Sequence, residues 1–175
     1  MTGSRRGLLK KTLGGAVLLA AAGAVPLALR RTRPRAAAAP LQFFTPAEYS
    51  IFAAVADRVL TDAEPRVGVA ERADAFLAPL PPADARDFRR LLALFDNALY
   101  GFLRGGPPRP FTQMSPDDQD DQLARWQTSR FPIERTGYQA MKRLAAAMYF
   151  SDPRTYAGVG YPGPPYELIK SVTTK

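Results

Sequence analysis

Residues 84–102 read Asp84-Ala85-Arg86-Asp87-Phe88-Arg89-Arg90-Leu91-Leu92-Ala93-Leu94-Phe95-Asp96-Asn97-Ala98-Leu99-Tyr100-Gly101-Phe102. Phe88, Leu91, Leu92, Phe95, Leu99 and Phe102 recur at helical spacing, with Arg86, Arg89 and Arg90 among the polar positions. That pattern puts one apolar stripe on one helix face, and it predicts a single continuous helix over 84–102. Gly105-Gly106-Pro107-Pro108 follows as a strong stop signal.

The same reading extends in both directions. Upstream, Thr45-Pro46-Ala47-Glu48 is a capping box with proline at the first helical position. Tyr49, Phe52, Ala53, Ala56, Val59 and Leu60 then repeat at helical spacing until Glu64-Pro65. A short helix is expected from about Val69 to Leu77, ending at Pro79 and Pro81-Pro82. Downstream, Ser115-Pro116-Asp117-Asp118 opens another helix, with Leu123 and Trp126 on its apolar side. Asp117, Asp118, Asp120 and Asp121 are best read as negative charge favoured at a helix N-terminus. A calcium loop would need a central Gly and a distal Glu. Phe131-Pro132-Ile133 begins the last helix, Tyr138, Met141, Leu144, Ala145 and Met148 face inward, and Tyr149-Phe150-Ser151-Asp152-Pro153 ends it. No window alternates like a strand. The expected fold is all-α, a compact bundle of about five helices, large enough to bury about two-thirds of its unfolded surface.

Composition removes whole classes of chemistry. The chain has 175 residues with neither Cys nor His. Thiolate nucleophiles, disulfides, iron–sulfur clusters and thioether haem are therefore excluded, and the commonest base and metal ligand are missing. A flavin or nicotinamide would normally need a strand–glycine-loop–helix unit, which the sequence lacks, so no cofactor is expected in this chain. The net charge is +8, yet eight of the 24 basic residues and none of the 16 acidic ones lie within residues 1–35. The remaining chain is electroneutral, which argues against nucleic acid as a partner.

The basic excess belongs to a leader. Ser4-Arg5-Arg6-Gly7-Leu8-Leu9-Lys10 precedes an uncharged stretch from Leu13 to Leu29. Ser4, Arg5, Arg6, Leu8, Leu9 and Lys10 resemble the twin-arginine export consensus, with Leu8 where Phe is more usual. As a helix the stretch spans roughly 26 Å, a little short of a hydrocarbon core of about 30 Å. Ala36-Ala37-Ala38 offers small residues for a signal peptidase. Arg30, Arg31, Arg33 and Arg35 lie beyond the apolar stretch, where they oppose ordinary secretion but not a route that carries folded cargo. The expected organisation is a signal helix over 1–38, a linker over 39–44, a helical domain over 45–153 and an extended tail over 154–175. Expected consequences are translocation by the twin-arginine translocase, a periplasmic or otherwise extracytoplasmic location, and membrane contact through the leader. A folded cargo without its own cofactor ligands implies a partner that travels along.

The tail segment from Arg154 to Tyr166 is too rich in Gly and Pro for a regular element, and it carries Tyr156, Tyr161 and Tyr166. Such rings suit an interface, and a tail wrapped back onto its own bundle is the equal alternative. The expected partner surface comprises Trp126, Tyr149, Phe150, Tyr156, Tyr161, Pro162 and Tyr166. No catalytic, cofactor-binding or metal-binding residue is expected.

Several short pieces resemble the small subunit, often called subunit 3 or gamma, of membrane-bound gluconate-type dehydrogenases. They are Phe44-Thr45-Pro46-Ala47-Glu48, Asp57-Arg58, Gly68-Val69, the Phe111…Ser115-Pro116…Gln119 start, Tyr149-Phe150-Ser151-Asp152-Pro153 and Gly160-Tyr161-Pro162-Gly163. The resemblance covers most of residues 41–165. It implies a role beside a large FAD-carrying flavoprotein of the glucose–methanol–choline oxidoreductase group, which oxidises a sugar or alcohol and passes electrons to a cytochrome c subunit or other acceptor. It further implies that the small subunit supplies the export signal and helps the large one mature. Two other readings stay open: a membrane-anchored structural or binding module, and a self-contained exported enzyme using carboxylate and Tyr chemistry.

Overall fold

The computed structural model describes residues 30–163, and the expected twin-arginine motif, the apolar stretch of the leader and Tyr166 lie outside them. The described chain is all-helical: α1 (Pro46–Val59), α2 (Val69–Leu77), α3 (Pro82–Phe95), α4 (Ala98–Leu103), α5 (Pro116–Gln127) and α6 (Pro132–Phe150). Three 3-10 turns, Phe111–Gln113, Pro153–Thr155 and Ala157–Val159, complete it.

The helix starts follow local chemistry. Thr45 accepts from the Glu48 N–H at 3.3 Å while the Glu48 carboxylate accepts from the Thr45 N–H at 2.8 Å, so the capping box closes in both directions. Ser115 caps α5 in the same way, accepting from the Asp118 N–H. Among the described residues no cluster of acidic side chains could hold a metal ion.

α6 is the hub, packing against α1, α2 and α5, while α1 also meets α3 and the Phe111–Gln113 turn. Phe52, Val55, Leu92, Phe95, Phe111, Met141 and Ala145 are essentially sealed from solvent. Phe95 sits at the centre, its ring 4.6 Å from that of Phe111 and 4.7 Å from the edge-on Trp126; such pairs add stability beyond the area they bury. α5 and α6 approach closely at Gly137, where an added Cβ would lie 3.0 Å from Trp126 Cζ3 and would overlap Leu91 Cδ1.

Three expectations are corrected. The helix expected over 84–102 is broken at Asp96 and Asn97: Asn97 accepts from the Tyr100 N–H at 2.9 Å and caps a new helix, α4. The buried Asp96 carboxylate turns away to accept from the Thr112 N–H at 2.9 Å. The redirected α4 leaves Phe102 half exposed, off the buried stripe. Next, residues 39–44 are more than a linker, because Phe43 and Phe44 are buried in the aromatic core beside Phe52 and Phe88. The Asp74 carboxylate of α2 holds them there, accepting from the N–H groups of Gln42, Phe43 and Phe44 at 2.7, 3.0 and 2.7 Å. Finally, the start of the tail is ordered by its two 3-10 turns, the first capped by Asp152.

Candidate functional site

The sharpest question for a chain without His or Cys is whether any carboxylate is free to do chemistry. Glu134, buried on α6, accepts from Arg104 Nε at 2.8 Å, from Arg104 Nη2 at 3.2 Å and from the Tyr100 hydroxyl. Burial pushes its pKa up, but hydrogen bonds from Arg104, Ser129 and Tyr100 outweigh that and hold it below the ordinary value. Tyr100 is correspondingly pushed up to about 12 by burial and by Glu134. Asp152 is held well below the usual range, first by the Arg154 side chain and backbone and then by Arg72. Asp74 is committed to three backbone N–H groups. Asp96 is raised by burial, partly offset by Thr112 and Thr32. Each of these buried carboxylates therefore serves as a structural acceptor.

Two concavities lie beside ionisable side chains. The first, of about 170 Å³, lies between α1 and α2 with a floor of Ala53, Ala56, Val67 and Ala70. On its rim the Tyr49 hydroxyl donates to Glu71 at 2.7 Å, and burial with that bond pushes its pKa up to about 12. At neutral pH Tyr49 is then a neutral donor already engaged, not a base. The second, about 160 Å³, is lined by Arg104, Gln122, Arg125, Trp126 and Glu134. Gln122 donates from Nε2 to the Phe95 carbonyl at 2.7 Å, which leaves its buried Oε1 without a partner among the described residues.

What the molecule does present is exposed apolar surface at the two ends of α6. At the start of α6, Phe131 and Ile133 are exposed, and Phe102 and Leu103 at the end of α4 are 51 % and 70 % exposed. The Arg104 guanidinium stacks over the Phe131 ring at 4.4 Å, tying these two helix ends together. At the other end, about 28 Å away for a helix of this length, Phe150, Val159 and Tyr161 are exposed. The Tyr156 and Tyr161 rings meet edge-on with centroids 5.0 Å apart.

A family model for gluconate 2-dehydrogenase subunit 3 matches residues 46–163, from the first turn of α1 to four residues past the second tail turn. The chain belongs to the gluconate 2-dehydrogenase subunit 3 family. Membership marks it as a small subunit of a dehydrogenase complex, in keeping with an accessory role. No curated protein and no solved structure gives a significant match.

Within this subunit 3 fold the expected partner residues separate into two sets. Trp126 and Tyr149 are buried in the subunit's own core, and the Tyr149 hydroxyl donates to the Glu64 carbonyl at 2.7 Å. Phe150, Tyr161 and Pro162 are exposed, Tyr156 is half-buried, and Tyr166 lies outside the described residues. The second exposed group, Phe102, Leu103, Phe131 and Ile133, was not anticipated. The apolar rhythm of the sequence puts Phe102 on a buried stripe, and only the break at Asn97 moves it off.

Proposed function

We propose that this chain is the non-catalytic small subunit of a membrane-associated, FAD-dependent dehydrogenase complex of the glucose–methanol–choline type. In this reading the FAD sits on the large subunit, which oxidises an alcohol, sugar or sugar acid and passes electrons to a cytochrome c subunit or other acceptor. The small subunit supplies the twin-arginine signal through Ser4-Arg5-Arg6 and helps the flavoprotein mature before both reach the extracytoplasmic side. The observation that carries it is the family match across the whole helical body. Buried carboxylates already committed to structural bonds, and exposed aromatic side chains at both ends of α6, agree with a subunit that works by contact.

The test is an affinity capture of C-terminally tagged chain from the extracytoplasmic fraction, followed by an absorption spectrum and mass spectrometry. Co-purification of a larger, yellow flavoprotein is expected, and Arg5-Arg6→Lys-Lys should strand both proteins inside the cell. A chain that emerges alone and colourless overturns the proposal.

A further inference from the structure

Residues 30–37 were expected to leave with the signal peptide, yet they lie across the folded body as an extended strap with its own set of bonds. The Arg30 guanidinium donates to the Pro108 carbonyl, and Gln113 Nε2 donates to the Arg31 carbonyl at 2.7 Å. Thr32 Oγ1 donates to Asp96 Oδ2 at 2.7 Å. The Arg33 N–H donates to Thr112 Oγ1 at 2.9 Å, and the Arg35 N–H donates to Ser50 Oγ at 2.8 Å. The Arg35 side chain then pairs with Asp57 at 2.5 Å, and Ala37 packs against the apolar core.

Three features separate this from a leader resting on a surface. The acceptors come from α1, from the cap of α3 and from the loop and turn after α4, so the strap crosses elements that only the folded chain brings together. Asp96, Thr112 and Ser50 are themselves buried, and a buried polar group that loses a partner carries a desolvation cost. Two of the bonds use backbone N–H groups, which fixes the course of the main chain independently of side-chain rotamers.

We propose that residues 30–37 are a permanent strap of the mature subunit and that signal peptidase does not cut at Ala36-Ala37-Ala38. A peptidase needs its small-residue site free and extended. Here Arg35, just before that site, is held on α1, and Ala37, the middle residue of the site, is partly buried against the core between the exposed Ala36 and Ala38. Because twin-arginine export carries cargo already folded, the strap is in place before the site reaches the peptidase. Everything N-terminal to Arg30 then stays covalently attached, and the Leu13–Leu29 stretch tethers the subunit to the membrane after export. This last consequence rests on the export reading above, whereas the docking does not.

The experiment uses the full chain with a C-terminal tag, isolated from each cell fraction, with intact mass, N-terminal sequencing and amide hydrogen exchange. The expected exported protein begins before Arg30, fractionates with membranes, and exchanges the Arg33 and Arg35 amides at least about tenfold slower than a free peptide. Thr112→Val removes the acceptor for Arg33 and should abolish protection of that amide, and the double variant Ser50→Ala/Thr112→Val should release both amides and admit cleavage at the Ala site. An exported chain beginning at Ala37, Ala38 or Ala39, or amides that exchange at free-peptide rates, overturns the strap. A chain retained in the cytoplasm with those amides protected upholds the strap and refutes the export reading instead.

Discussion

Replacing Asp74 by Ala tests how the chain enters its own core. The carboxylate is buried on α2 and accepts from three successive backbone N–H groups, those of Gln42, Phe43 and Phe44. Gln42 is exposed and its N–H can turn to water, but Phe43 and Phe44 are buried, and their N–H groups would be orphaned. At about 1–3 kcal/mol for each unsatisfied buried donor, Asp74→Ala should cost about 2–6 kcal/mol. A central loss of about 4 kcal/mol with a urea slope of about 2 kcal/mol/M moves the unfolding midpoint down by about 2 M. Asp74→Asn keeps an acceptor for Phe43 and Phe44, both of which use Oδ1, so its loss should be nearer 1–2 kcal/mol. Urea melts of the three proteins, followed by circular dichroism, decide the matter. An Ala variant within about 0.5 kcal/mol of the parent, or an Asn variant as unstable as Ala, would refute the assignment.

Leu92→Ala, at a site sealed within the core, should destabilise by about 2–5 kcal/mol in the same melts. Gly137→Val places a branched side chain against Leu91 and Trp126 and should cost about 1–3 kcal/mol, with changed near-ultraviolet dichroism from Trp126. Glu134, Asp120 and Asp152 have folded pKa values below the ordinary ones, so their stabilisation is complete above the unfolded value and is lost as pH falls through the folded values. Asp96, raised by burial, runs oppositely, its charge costing stability that acidification returns. The three should outweigh the one, giving a lower urea midpoint near roughly pH 3 than at pH 7, with a shallower decline in Glu134→Gln.

Features written in adjacent residues were legible in the sequence. The capping box at Thr45 and the serine cap at Ser115 are bonds between positions three apart, so reading them needs no knowledge of the tertiary fold. The last helix is marked by Pro132 at its start and Ser151-Asp152-Pro153 at its end, and α6 runs between them. Most of what escaped depends on partners far along the chain; the Asn97 cap is the local exception. Asn97 is a good cap residue, but an unbroken apolar rhythm concealed it. The acceptor role of Asp96 is fixed by Thr112 and by Thr32, 64 residues upstream. Phe43 and Phe44 looked like part of a joint because Asp74, which pins their backbone, lies about thirty residues on. On the candidate surface the exposed Phe150 and Tyr161 were anticipated as rings near the tail. The opposite end of α6 was hidden by the same missed break.

The strap joins two parts of the chain that a sequence reading treats separately: the segment expected to carry an export signal and the fold that follows. Its bonds reach Ser50, Asp96, Thr112 and Gln113, residues on three elements that are not neighbours in sequence. An incompletely folded body cannot offer all of these acceptors and donors together, so the Arg30–Ala37 segment is held only when α1, the cap of α3 and the Phe111–Gln113 turn have assembled. In the export reading proposed above, the Arg5-Arg6 pair would be exported on a body whose strap acceptors are already assembled. The same hydrogen bonds that complete the buried Asp96, Thr112 and Ser50 also hold the Arg30–Ala37 segment on the folded body.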